Sequence, residues 1–362
     1  MTDKKITIAF TGGGTGGHIY PGLAVASCLA GRIPCRIIWI GSKKGMDRQI
    51  AEGEGVEFYG IPSGKLRRNF SLKNFIDIFN VAAGFFAARK ILKKEKPALL
   101  FSKGSFASVP PAAAASSLKI PVFSHESDFT PALATRINFN FSQKIFIPYN
   151  ESAGFYPQKV RAKLEVSGNP VRREFYNGDS SKGRAFLGIS GDERILLVLG
   201  GSTGSLEIND LIRECLPELT RVYTVVHQCG SGGELPQSSL RYKAYKYFND
   251  ELPHVIAAAE LVICRGGAGT LWETAALRKP MIIIPLRGSG TRGDQVENAE
   301  VFEKAGAGIK FSENVNAAAL SELAVRLAAD KDRREAMAAS RIGGAGAAEF
   351  ITDKIIQKVS ES

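Results

Sequence analysis

No apolar run in this sequence approaches the ~18 residues that a membrane-crossing helix requires. The opening MTDKKITIAF has too few apolar positions for a signal-peptide core. Membrane spanning and export are therefore not expected. Cysteine is scarce: Cys28, Cys35, Cys215, Cys229 and Cys264 lie far apart and form no C-x-x-C. That argues against a disulfide framework or a zinc site, and for reduced thiols in a cytoplasm. The four histidines are scattered, so no metal cluster is visible. Acidic residues are in deficit too, with 36 Asp and Glu against 47 Lys and Arg, a formal net charge of +11. A basic balance suits an anionic partner.

Core material is plentiful. Of the 362 residues 44% are apolar and 23% charged, a globular composition that excludes disorder. At ~150 residues per domain the length implies roughly two domains. Short runs such as ITIAF, RIIWI, ALLF, IPVF, KIFI, RILLVL, TVVH, LVIC and MIIIP alternate with helical patterns. This is the signature of buried parallel strands in βαβ units. Each half opens with a strand running into glycines, ITIAFTGGGTGG and then ILLVLGGSTGS. The expectation is an α/β chain of two doubly wound, Rossmann-like domains, 1–165 and 166–345. A short amphipathic helix within 346–362 is expected to return to the first of them.

The positive charge is concentrated. Residues 65–96 hold nine basic side chains (Lys65, Arg67, Arg68, Lys73, Arg89, Lys90, Lys93, Lys94, Lys96) against Asp77 and Glu95, a net of +7. Leu72, Phe75, Ile76, Phe79, Ala82, Ala83 and Phe86 recur there at helical spacing, with Ile78, Phe85 and Leu92 broadening the face. A long apolar face usually packs inward. A strongly basic amphipathic helix also lies on anionic lipid.

Gly12, Gly14 and Gly17 form G-x-G-x-x-G between a strand and a helix, where backbone amides and a helix N-terminus favour an anion. A dinucleotide site would want a carboxylate at the end of the second strand. RIIWI ends instead in Gly41-Ser42-Lys43-Lys44. A nicotinamide role is thus disfavoured. His18 follows the loop, and a helix N-terminus there would keep its imidazole neutral, fit for a general base. The second loop, Gly200-Gly201-Ser202-Thr203-Gly204-Ser205, repeats the anion logic with three hydroxyls. Beyond it, Thr270-x-x-Glu273 fits a capping box. Glu273 could equally accept the two hydroxyls of a ribose, and that choice stays open.

TGGGTGGHIYPGL (11–23), His125-Glu126-Ser127-Asp128, Gly168-Asn169-Pro170-Val171-Arg172, the 200–205 loop and the 264–273 segment occur in that order. Together they resemble the MurG family of N-acetylglucosaminyltransferases over nearly the whole chain. The family converts undecaprenyl-pyrophosphoryl-MurNAc-pentapeptide (lipid I) to lipid II in peptidoglycan synthesis. The resemblance implies a GT-B fold, two Rossmann-like domains facing a cleft, with UDP-GlcNAc on the C-terminal one. It puts Asn249 at the uracil, Glu273 at the ribose, and Gly201, Ser202 and Arg172 at the diphosphate. Gly267, Ala268, Gly269 and Thr270 fall beside the sugar and phosphates, with Gln295 and Asn298 as sugar-binding amides. Thr15, Gly16, Gly17, His18, His125, Glu126 and Asp128 fall on the acceptor side, with His18 and Glu126 as rival bases.

The chain departs from the family at Gly104-Ser105-Phe106, where one glycine is lost, at Asp128 for Asn, and at Asp294 before Gln295. No metal, cofactor or nucleic acid is implied. No D-x-D is expected in the chain to hold a cation; the glycine loop, a helix N-terminus and Arg172 would carry the leaving charge. The expected place of work is the cytoplasmic face of the plasma membrane, bound peripherally through Lys65–Lys96. The alternatives are another GT-B glycolipid transferase, a UDP-sugar epimerase, or a nucleotide-binding protein without turnover.

Overall fold

Strands whose residues are apolar on both faces can be satisfied only between helices, and that is where they lie. The computed structural model describes residues 5–64, 73–201, 204–230, 235–288, 292–313 and 315–361. Among these, β1 (Ile6–Thr11), β2 (Cys35–Ser42), β3 (Glu57–Ile61), β4 (Leu99–Ser102), β5 (Val122–His125), β6 (Lys144–Ile147) and β7 (Leu164–Val166) form one parallel sheet in the order 3-2-1-4-5-6-7. Then β8 (Ile195–Leu199), β9 (Thr224–Gln228), β10 (Tyr242–Tyr245), β11 (Leu261–Cys264), β12 (Met281–Ile283) and β13 (Gly308–Lys310) form a second, in the order 10-9-8-11-12-13. Ile8 pairs with Leu99 and Phe10 with Phe101 in register, and all four are fully buried.

In each sheet the strand order reverses once, between β1 and β4 and between β8 and β11. The loops leaving the C-terminal ends of those strands therefore diverge to opposite faces and leave a crevice, the usual ligand position in such sheets. Both glycine loops follow the first strand of such a pair.

The chain divides into two compact units, Met1–Arg172 with Gly346–Ser362, and Arg173–Ala345. The sequence boundary of 165/166 falls short of this division. Ser167 N donates to Ile147 O at 3.0 Å, His125 Nε2 to Gly168 O at 3.0 Å and Asn169 Nδ2 to Ser127 O at 3.0 Å. These bonds hold the Gly168–Arg172 segment on the first sheet. The last helix, Ala347–Ser360, belongs there as well. Its Ile351 and Ile355 are fully buried with Leu23, Val25 and Leu29 of α1 (Tyr20–Ala30). Burial of that kind is worth about 1.5–3 kcal/mol per side chain.

Candidate active site

In the first unit three loops converge at the reversal between β1 and β4. The glycine loop after β1 is held from below by α2 (Asp47–Gly53). Asp47 is fully buried, and its carboxylate accepts from Gly14 N at 2.7 Å and Ser42 N at 2.9 Å. Gly14 has φ +87°, and a Cβ on Gly13 would stand 1.9 Å from Asp47 Oδ2. The loop's bare backbone is thus needed to admit one of the chain's own carboxylates. Asp47 was not singled out from the sequence, where it reads as an ordinary first-turn acid.

His18 ends the short turn Gly16–His18, with its N–H on Thr15 O at 3.1 Å. Thr15 and Gly17 are exposed, Gly16 is buried, and His18 is half-buried. Burial, and then the charge of Lys103, hold the imidazole below its ordinary value, while Glu126 and Asp128 pull it upward. The neutral state expected from the sequence follows, but from a different cause. The helix proper begins only at Tyr20.

Lys103 was missed. It follows β4 directly and is 1% exposed, with Nζ donating to Ser127 Oγ at 2.6 Å. Burial lowers its pKa to about 8, opposed by Glu126 and Asp128. A lysine closing an otherwise apolar strand, ALLFSK, was the available signal.

Glu126, the rival base, is a loop-holding carboxylate. It is 2% exposed. One oxygen accepts from Ser127 N at 2.8 Å and Asp128 N at 3.2 Å, the other from Ala132 N at 3.0 Å and Thr135 Oγ1 at 2.6 Å. Four donors fill the four lone-pair sites of a carboxylate, leaving none for a substrate proton. Nor does His125 orient it, because His125 Nε2 is spent on Gly168 O and burial keeps that imidazole neutral. Asp128 is half-buried at the edge of this loop. Arg172 lies with its guanidinium 4.2 Å from the Tyr20 ring centroid, on the first unit.

In the second unit, Ser202 lies outside the described residues. Gly201 has φ +93° and accepts from Gly204 N at 3.1 Å. Gly204 has φ +79°, and a Cβ there would stand 2.4 Å from Cys229 O. Ser205, counted among three hydroxyl donors, has its oxygen committed as an acceptor. It caps the helix Leu206–Leu219 through Ile208 N at 3.2 Å and accepts from Arg265, which also meets Glu207 at 2.7 Å.

After β11, the helix Ala268–Ala276 has Gly267 as its N-cap, with no side-chain cap. Thr270 is therefore inside the first turn, and Leu271 N donates to Gly267 O at 3.1 Å. The capping box read from Thr270-x-x-Glu273 does not form, because it would need Thr270 at the cap. The amides of Gly267, Ala268, Gly269 and Thr270 are those that a helix start leaves to other partners. Glu273 is half-buried one turn along the same face.

Gln295 and Asn298 secure this loop. Gly266 packs so tightly on Gln295 that a Cβ would be 2.2 Å from Gln295 O. Asn298 is buried, not presented to a sugar, and its Nδ2 donates to Gly266 O at 3.1 Å. Gln295 Oε1 accepts from Leu286 N at 2.9 Å, and Asp294 pairs with Arg292 at 3.2 Å. Asn249 is exposed after β10, its N–H on Glu251 Oε2 at 3.1 Å and its carbonyl accepting from Leu252 N at 3.1 Å. Against the expectation of none, one Asp-x-Asp does occur in the chain, Asp330-Lys331-Asp332. Asp330 caps the helix Lys331–Ala338 by accepting from Arg333 N at 2.9 Å, a structural part.

The basic segment contains α3 (Lys73–Glu95), preceded by Lys65, Arg67, Arg68 and Leu72, which lie outside the described residues, as do the side chains of Lys73, Phe75, Ile76 and Ile78. Gly84, Ala88 and Leu92 are buried, and a Cβ on Gly84 would meet Pro110 of α4 (Val109–Ser117) at 3.3 Å. Leu92 therefore belongs to the packed face. Phe79, Ala82, Ala83 and Phe86 face solvent, the two phenylalanines at 74% and 69% exposure. Glu95 is held by Arg36 at 2.6 Å, while Lys90, Lys93 and Lys94 are exposed. No helix among the described residues is long and apolar enough to cross a membrane.

Comparison with known proteins matches residues 8–147 to the glycosyltransferase family 28 N-terminal domain and 195–355 to the glycosyltransferase family 28 C-terminal domain. A Treponema denticola protein named UDP-N-acetylglucosamine–N-acetylmuramyl-(pentapeptide) pyrophosphoryl-undecaprenol N-acetylglucosamine transferase is 49% identical over 320 residues, 83% of this chain and 82% of that protein. A Shouchella clausii protein of the same name is 43% identical over 356 residues, 97% of this chain and 99% of that one. The crystal structure of Acinetobacter baumannii MurG covers 98% of this chain and 99% of its own, with a TM-score of 0.69 at 20% identity. That likeness speaks for the fold alone, which is GT-B. With one family domain on each sheet and relatives this similar along the chain, the protein belongs to glycosyltransferase family 28.

Proposed function

We propose that this protein transfers N-acetylglucosamine from UDP-GlcNAc to the C4 hydroxyl of MurNAc in undecaprenyl-pyrophosphoryl-MurNAc-pentapeptide, with inversion and without a metal. What carries the reading is the 43% identity to a transferase of that name across 97% of the chain, both units included. The site chemistry agrees. His18 has a neutral ring and a buried Nδ1, so Nε2 is the nitrogen left to take the acceptor proton. The freed oxygen attacks the anomeric carbon, and the bond to the diphosphate breaks. The charge that develops there needs a preorganised positive field. The uncapped first turn at Gly267–Thr270 and the Gly200–Ser205 loop supply it, and Glu273 accepts the ribose hydroxyls.

The test is UDP release from UDP-GlcNAc with a lipid I analogue, run with EDTA throughout. Release at the rate seen without chelator is expected. Complete loss that magnesium or manganese restores would overturn the metal-free mechanism. Turnover of UDP-GlcNAc without acceptor would favour an epimerase.

An acceptor whose tail stays in the bilayer requires the protein to come to the membrane surface. The exposed Phe79–Phe86 stripe beside Lys90, Lys93 and Lys94 suits the cytoplasmic leaflet, where each nearby basic side chain contributes about 1 kcal/mol. Neutralising Arg67, Arg68, Lys93 and Lys94 is expected to weaken binding to phosphatidylglycerol vesicles at least about tenfold. Donor affinity should stay unchanged. Vesicle binding that ignores both these substitutions and high salt would make the patch a merely solvated face.

A further inference from the structure

The buried cation of the first unit has no part in the chemistry described so far. Lys103 N donates to Thr11 O at 2.7 Å, fixing it at the root of the glycine loop. Its stem runs under that loop, so that a Cβ on Gly12 would stand 3.1 Å from Lys103 Cβ and one on Gly22 3.7 Å away. Its Nζ ends on Ser127 Oγ at 2.6 Å, in the loop after β5. The residue that follows it, Gly104, has a Cβ position 3.9 Å from His18 Nδ1 and 3.5 Å from Thr135 Oγ1. Lys103 thus links the loop that carries His18 to the loop that carries Ser127, and Gly104 places His18 against both. His18 Nδ1 is buried there without a hydrogen-bond partner among the described residues.

We propose that Lys103 is a positioning residue for the transfer reaction: its ammonium, tethered to Ser127 beneath the glycine loop, keeps His18 as the unprotonated imidazole. This rests on the base role given to His18 above. The groups that act on His18 are Lys103 on one side and Glu126 and Asp128 on the other, the Lys103 backbone siding with the acids. With the ammonium removed, burial is opposed by two carboxylates and nothing cationic. Burial still disfavours the imidazolium, but less decisively, and the protonated fraction, which cannot accept a proton, grows. Burying an ammonium is costly, so a lysine retained here needs a return. A free imidazole at neutral pH is such a return.

The experiment is an NMR titration of isotope-labelled histidines in the full-length chain, with His18→Ala to assign the signal. Lys103→Met removes charge and hydrogen bond, Lys103→Gln removes the charge but can still reach Ser127, and Lys103→Arg keeps the charge. The His18 midpoint is expected to rise by about one pH unit in the first two and to stay low in the third. The acid limb of kcat should move upward with it, while KM for UDP-GlcNAc does not. A midpoint unmoved in both Lys103→Met and Lys103→Gln overturns the proposal, as does a moved midpoint with an unmoved acid limb. Should Lys103→Met fail to fold, Lys103→Gln decides. A wild-type protein that transfers no sugar at any pH sinks the assigned function instead, and the titration still decides whether Lys103 governs His18.

Discussion

Replacing His18 by Ala is expected to lower kcat by about 10²–10⁴ with UDP-GlcNAc and a lipid I analogue, the usual loss for a proton-transferring side chain. Glu126→Gln is expected to behave differently. Its amide offers one acceptor oxygen and two donors where four donors now converge. At least two buried donors lose their partner, at about 1–3 kcal/mol each. The measured effect should be a lower melting temperature, with kcat per folded molecule falling less than about tenfold. In the unsubstituted protein, kcat/KM should hold level as pH falls through 6.5 and decline only below it. The sign follows from the requirement for free imidazole, whose pKa is held under 6.5 by burial and by Lys103. A small loss in His18→Ala, with Glu126→Gln folded and nearly inactive, would hand the base role to Glu126.

The doubly wound class of both sheets was legible because buried parallel strands announce themselves as apolar runs, whereas the edge strands β3, β7, β10 and β13 are too short or too polar to do so. The helical spacing of α3 was legible too, but not which side of it packs. Gly84, Ala88 and Leu92 turn inward, and Gly84 must lack a side chain because a Cβ there would stand 2.3 Å from Pro62 O. What stayed hidden was partner choice inside the site. Asp47, Lys103 and Ser127 come from elements far apart in sequence: Asp47, after β2, meets the glycine loop at Gly14, while Lys103, after β4, reaches Ser127, after β5. A carboxylate in a loop looks the same in sequence whether it is free, as a base must be, or saturated like that of Glu126. The same holds for Ser205, whose hydroxyl is a cap, and for Asn298, whose amide faces the backbone. In each case the residue type was informative and its commitment to a neighbour was not.

Glu273→Ala is expected to raise Kd for UDP-GlcNAc about tenfold to a hundredfold, without the stability loss of a broken capping box. Hydrogen bonds to a charged acceptor are worth about 1.5–3 kcal/mol, and tenfold corresponds to about 1.4 kcal/mol. The stability half of the expectation comes from the helix start. Since Gly267 is the N-cap and no side chain caps the helix, the substitution breaks no capping box at Thr270. Were the carboxylate a capping partner after all, its removal would cost about 1 kcal/mol of stability and leave affinity intact. Calorimetric titration with UDP-GlcNAc, read beside a thermal melt, separates the two. A sharper form pairs the substitution with a donor lacking the ribose 2′ hydroxyl. If Glu273 accepts that hydroxyl, the altered donor binds the native protein more weakly but loses much less against Glu273→Ala, since each change removes the same bond. Additive losses would mean that the carboxylate and the hydroxyl never meet, and the ribose assignment would fall.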